Sequence, residues 1–93
     1  MSTEVSHNES EQRYEIRVDG ELAGHLVAEP DGDVVVLPHT EVDERFEGQG
    51  LASQLVTAAL EDLRARGQRI RPTCPYVKKF LEKHTEYADL VVG

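Results

Sequence analysis

Ninety-three residues leave room for one domain and a small core, so any large ligand has to lie on the surface or in an open cleft. With 39% apolar and 30% charged residues the chain has the composition of an ordinary globular domain, and no apolar run approaches the roughly 20 residues of a membrane-spanning helix. A net charge of −8 argues against nucleic acid as a general partner, because phosphate backbones are gripped by clustered Lys and Arg.

The first eleven residues, MSTEVSHNESE, are polar and carry no period; they read as a flexible lead-in (1–11) to a single domain at 12–93. Met1-Ser2-Thr3-Glu4 has neither the basic start nor the apolar stretch of a secretion signal, and the single cysteine, Cys74, excludes an internal disulfide. A cytoplasmic location without a membrane is therefore expected. From Gln12 the pattern changes: Tyr14, Ile16 and Val18 alternate with Arg13, Glu15 and Arg17, the period of a half-buried strand. Asp19-Gly20 is a hairpin turn signal, and a second strand follows through Leu22 and His25 to Ala28. After Pro30-Asp31-Gly32-Asp33, a third strand opens at Val34 and runs towards Val42, completing an antiparallel meander. Pro38 cannot donate to a ladder, so the sheet should be disrupted beside His39 and leave free backbone groups there.

Leu51, Ala52, Leu55, Val56, Ala59, Leu60 and Leu63 then form an apolar stripe that predicts a helix of about four turns, ending at Arg66 with Gly67 as its terminator. Arg69-Ile70-Arg71 is a short strand, expected to return parallel to the sheet. Pro75 suits the first position of a second helix with Val77, Phe80, Leu81 and His84 on its apolar face, and the tail from Tyr87 to Val92 is long enough for a last strand or turn. The order is βββαβα. Charge is divided along it: residues 1–47 hold 13 acids and three bases, residues 48–93 five acids and seven bases. The second half reads either as a solvated basic face or as a seat for a small polyanion.

The segment Arg45-Phe46-Glu47-Gly48-Gln49-Gly50 joins strand to helix. Glycines there let several N–H groups converge at a helix N-terminus, where the dipole favours an anion such as a diphosphate. A dinucleotide fingerprint is excluded because the third glycine is missing, and a Walker loop because no Gly-Lys-Ser/Thr follows. A plain strand-to-helix turn remains the other reading of two glycines alone.

The pattern Arg-x-x-Gly-x-Gly, after a meander and before an amphipathic helix, resembles the coenzyme A signature of the GNAT superfamily of N-acetyltransferases. More narrowly, His39-Thr40-Glu41-Val42, Glu47-Gly48-Gln49-Gly50, Cys74-Pro75-Tyr76 and Lys83-His84-Thr85-Glu86-Tyr87 are similar in order and spacing to the minimal acetyltransferase-like proteins of this superfamily, over residues 7 to 90. The resemblance implies an α/β (α+β) GNAT-like acyltransferase fold with acetyl-CoA (coenzyme A) as cosubstrate and no metal. It implies that the backbone of Arg45, Phe46, Glu47, Gly48, Gln49, Gly50 and Leu51 holds the pyrophosphate. Thr40, Glu41 and Val42 would pair with the pantetheine arm, and Lys78 and Lys79 would meet the CoA phosphates. Two departures stand out. Glu47 takes the place of a usual basic residue, and Leu81 in Phe80-Leu81-Glu82-Lys83 takes the place of the usual general-acid tyrosine.

Acetyl transfer to an amine needs a base, an oxyanion donor and an acid for the leaving thiolate. His39, at the disrupted strand, is the titratable candidate for the base, against the reading of an edge histidine bonded to a carbonyl. Cys74 precedes Pro75 at a helix N-cap, with Lys78 and Lys79 in the next turn, a setting that lowers a thiol pKa; it reads as a covalent acyl carrier or as an inert buried thiol. Tyr76 is the substitute acid, or a core aromatic. The expected function is an N-acetyltransferase acting on an amine of a small molecule or protein, as a monomer or weak homodimer. The alternatives are a non-catalytic CoA or acetyl-CoA sensor and a protein-interaction module of the same layout.

Overall fold

The computed structural model describes residues 2–92. Strands β1 (Thr3–Asn8), β2 (Arg13–Val18), β3 (Glu21–Val27), β4 (Glu29–Asp31), β5 (Val34–Leu37) and β6 (Thr40–Val42) precede helix α1 (Leu51–Ala65); β7 (Arg69–Pro72) and helix α2 (Pro75–Lys83) follow. The expected βββαβα order is present, preceded by one more strand. Residues 3–8 are not a flexible lead-in: β1 pairs with β2 along its whole length, from Thr3 opposite Val18 to Asn8 opposite Arg13. Its polar sequence concealed it, because an edge strand gains main-chain bonds from any sequence and need not alternate. The Asn8 side chain stabilises the turn that follows by accepting from Ser10 Oγ and the Glu11 amide.

Asp19 and Gly20 both hold positive φ, 50° and 86°, the backbone that a tight two-residue hairpin requires. β3–β4 and β5–β6 then form one long antiparallel hairpin. Its pairing slips by one residue between the Val27–His39 and Glu29–Val36 partners, so an extra residue is accommodated at Leu37-Pro38. That is a β-bulge, and it splits the strand where Pro38 predicted a disruption. On one side of it β6 joins the sheet β1-β2-β3-β6; on the other, β5 lies between β4 and β7. β7 is parallel to β5, with Val35 opposite Ile70, reached through α1 as a crossover. The tail adds one bridge, in which the Val92 amide donates to the Ile70 carbonyl.

The apolar stripe of α1, from Leu51 through Leu55, Val56, Ala59 and Leu60 to Leu63, is buried against Tyr14, Ile16, Val18 and Leu26 of the sheet. Gly67 at φ 73° ends the helix: its amide donates to Arg64 and that of Gln68 to Leu63, the paired bonds of a left-handed C-terminus. The other sheet face is polar. There Glu15 is only 4% exposed and accepts from Arg13, Arg17 and Asn8, contacts that overcome burial and hold its carboxyl below the usual range. No helix of the described residues is long and apolar enough to cross a membrane.

β3 and β6 meet tightly. A Cβ on Gly24 would stand 2.6 Å from the Glu41 carbonyl oxygen and 3.2 Å from Val42 Cα, both backbone atoms that cannot swing aside. Gly24→Ala is therefore expected to cost about 1–3 kcal/mol of stability, read as a lower denaturation midpoint at unchanged slope. A wild-type midpoint in this variant would mean that β6 is not held against β3 as described.

Candidate active site

The bulge at Pro38 makes a gap. β5 and β7 run side by side as far as Leu37 and Pro72, where the Leu37 carbonyl accepts from both the Thr73 and Cys74 amides at 3.1 and 2.9 Å. Beyond this point β6 leaves with β3, and the chain after β7 enters α2. Thr40 Oγ1 and Cys74 Sγ face each other across the narrow end of the gap at 3.4 Å. On the β6 side the backbone bonds to β3 only at alternate residues. His39 accepts from Val27 and Asp43 donates to Ala23, so with Glu41 opposite His25 it is the odd-numbered residues that bond to β3. In an antiparallel ladder the residues between turn their N–H and C=O groups to the opposite edge. Thr40 and Val42 thus present their main chain to the gap.

The same gap receives the glycine loop. Gly48 (φ 81°) and Gly50 (φ 72°) are both left-handed, and Gly50 is the N-cap of α1 with no side chain to cap it. No acidic residue lies in the first turn of α1, so the amides of Leu51, Ala52 and Ser53 have neither a helical acceptor nor a carboxylate from the chain. One open pocket is lined by Thr40, Val42, Phe46, Gly48, Gly50 and Tyr76, together with Glu47 and the start of α1. A strand edge, a nest of amides and a phenol therefore open onto one space. Donors so placed favour an anionic ligand with an extended, peptide-like arm.

Comparison with known proteins gives the family and the fold. The profile of the GCN5-related N-acetyltransferase family matches residues 13–90. The chain belongs to that family, GNAT for short. This GNAT chain is 30% identical over 82 residues to protein NATD1 of Bos taurus, covering 86% of itself and 73% of the relative. It is 28% identical over 92 residues to protein NATD1 of Danio rerio, covering 95% and 84%. Among solved structures, a GCN5-like protein from Staphylococcus aureus superimposes with a TM-score of 0.73 at 25% identity, over 97% of this chain and 88% of that one. The ribosomal-protein-S18-alanine N-acetyltransferase of Escherichia coli matches with a TM-score of 0.66 at 18% identity, over 76% and 49%; it shares the fold.

The pocket gathers the sequence candidates unevenly. Of the loop amides, those of Arg45, Phe46 and Glu47 are already bonded, to the Asp43 carboxylate, the Asp43 carbonyl and the Glu44 carbonyl. The usable donors begin at Gly48 and extend to Ser53, two residues beyond the Leu51 at which the sequence reading stopped. Gln49 is exposed between the glycines. The Arg45 guanidinium turns to Glu21 and Asp43 and lies 5.3 Å over the Phe46 ring, so it braces the loop. Lys79 lines an adjoining groove that shares Ser53 and Tyr76 with the pocket, whereas Lys78 is exposed beside it. His39 and the Glu41 side chain lie on the opposite face of β6, together with His25.

Cys74 is 4% exposed beneath Thr40. Burial raises its pKa, but the Thr40 hydroxyl and the amides of Val77, Tyr76 and Thr40 outweigh that and hold it below the ordinary thiol value. Tyr76 is 39% exposed on the pocket wall, and burial pushes its phenol above the usual value, so it is protonated at neutral pH. The other two tyrosines are committed elsewhere, Tyr14 Oη donating to Asp62 at 2.5 Å and Tyr87 Oη to Glu61 at 2.6 Å.

Proposed function

We propose that this protein binds acetyl-CoA and transfers its acetyl group to an amine of a protein or small molecule. One observation carries the reading: the uncapped, acid-free mouth of α1, with left-handed glycines at Gly48 and Gly50, opens onto the same pocket as the Thr40–Val42 edge. The Gly48 to Ser53 amides hold the diphosphate, the Thr40 and Val42 backbone holds the pantetheine arm, and Lys79 stands nearest for a further phosphate. Acetyl-CoA brings the activated acyl group; the chain supplies positioning and proton transfers.

Those transfers divide between the two faces of β6. His39 is on the polar face, exposed, where an amine can approach from solvent and lose its proton. The Thr40 hydroxyl and amide are taken by Cys74 Sγ, so the pocket-face proton transfer falls to Tyr76, which gives its proton to the departing sulfur. Cys74, bonded to Thr40 and sealed from solvent, positions that threonine and does not carry the acetyl group. The polar face of β3 and β6 exposes His39 and Glu41, which suits an extended acceptor such as a peptide.

Calorimetry with acetyl-CoA, followed by incubation of labelled acetyl-CoA with peptide and small amine acceptors, tests the proposal. Saturable binding and a labelled amine are expected. Binding without transfer favours the sensor reading, and no binding at millimolar acetyl-CoA favours an interaction module.

A further inference from the structure

We infer that His25, His39 and Glu41 form a binding site for a divalent transition-metal ion, of which zinc is the representative. Each residue offers one ligand atom, and the three atoms lie within 4.8 Å of one another. Chain spacing gives no hint of this; strand register creates it. His25 stands directly opposite Glu41 in the β3–β6 pair, and His39, two residues before Glu41, points to the same face. Nε2 of His25 is 4.0 Å from Oε2 of Glu41, and the two imidazole rings are 6.1 Å apart between centroids, tilted by 54°.

The geometry is close to that of an occupied site. Nitrogen and oxygen ligands at about 2.0–2.2 Å from zinc stand roughly 3.3 Å apart, so the three ends need to close by about 0.7 to 1.5 Å. Side-chain rotation supplies that: His39 and Glu41 are exposed, while the ladder holds their backbone in place. Two imidazoles and one carboxylate select zinc, nickel or copper over magnesium and calcium, which prefer oxygen alone. His25 is half-buried, with Arg13 the nearby cation that would oppose a metal ion. Arg13 itself is drawn back by Glu15 at 2.7 Å, which limits its repulsion of a cation. Three protein ligands leave at least one position for water or another ligand. Zinc binding can be measured without acetyl transfer, but the site uses the His39 ring that the proposed reaction takes as its base, so a bound metal and that role exclude each other.

Untagged, chelator-treated protein titrated with zinc chloride in a calorimeter tests it, with magnesium chloride as the control metal. One zinc per chain is expected. Its affinity should fall by at least about tenfold in each of His25→Ala, His39→Ala and Glu41→Gln, and stay unchanged in Cys74→Ala. Cobalt(II) should give ligand-field bands without the near-ultraviolet charge transfer of a thiolate. Since His39 and Glu41 are exposed, their variants keep the fold, verified by circular dichroism. The inference is overturned by absence of zinc binding, by wild-type affinity in the His39→Ala and Glu41→Gln variants, by loss of binding in Cys74→Ala, or by magnesium binding equally well.

Discussion

Gly48→Val is expected to weaken acetyl-CoA binding by at least about 100-fold, equivalent to about 2.7 kcal/mol, while the denaturation midpoint scarcely moves. The argument starts from the backbone. Gly48 sits at φ 81°, and a Cβ built there meets no atom within 4 Å, so the folded chain has room for a side chain. What it lacks is a tolerable dihedral: an L-residue in the left-handed region costs about 1–2 kcal/mol, and a β-branched one more. The exposed loop escapes that strain by rotating Gly48 out of the left-handed region, which turns the Gly48 and Gln49 peptides away from the mouth of α1. Each hydrogen bond lost to a charged group removes about 1.5–3 kcal/mol, so two account for the predicted loss. Stability is spared because the Glu44–Phe46 turn leading into the loop buries no residue. Calorimetry with acetyl-CoA and urea unfolding on the same preparation separate the two effects. Wild-type affinity in Gly48→Val would remove the loop from the binding site.

Much of this was legible in the sequence, for reasons that can be named. α1 announces itself by its stripe and by Gly67, because helix period and the left-handed C-terminus are local properties. Pro38 marks the break in the third strand, because a missing donor is a fact about one residue. Local signals fail where neighbours decide. β1 is held by its pairing with β2, not by its own pattern, and it was read as a flexible segment. The Arg45 and Glu47 amides, expected to be available, are absorbed by a turn built on Asp43; the signal was an aspartate two residues before Arg45, an N-cap in miniature. His25 went unnoticed as a functional residue, since only the register of β3 on β6 brings it to His39 and Glu41. The Leu81 departure from the family pattern pointed to a replacement acid, and elimination among the tyrosines leaves Tyr76 as the one proposed: Tyr14 and Tyr87 are tied to Asp62 and Glu61.

That elimination leads to the second large effect. Tyr76→Phe is expected to lower kcat for acetyl transfer by about 100-fold while leaving the affinity for acetyl-CoA unchanged, since removal of a general acid acts on the transition state alone. The phenol's raised pKa fixes the sign of the pH dependence. An acid must be protonated to act, so wild-type activity should persist up to the ordinary tyrosine value of about 10 and fall only above it. In Tyr76→Phe that alkaline decline should disappear along with the rate it governs. A purely structural role for Tyr76 would instead lower affinity and stability and leave the shape of the profile intact. Tyr87→Phe is the matched control, because its hydroxyl already serves Glu61, with its pKa pushed up to about 12. Cys74→Ala completes the comparison: a buried thiol that only positions Thr40 leaves no acetyl label on the wild-type cysteine, and its loss costs less than the loss of the phenol. A quenched wild-type reaction with label on Cys74, or full kcat in Tyr76→Phe, would move the chemistry from the pocket wall to the thiol beneath it.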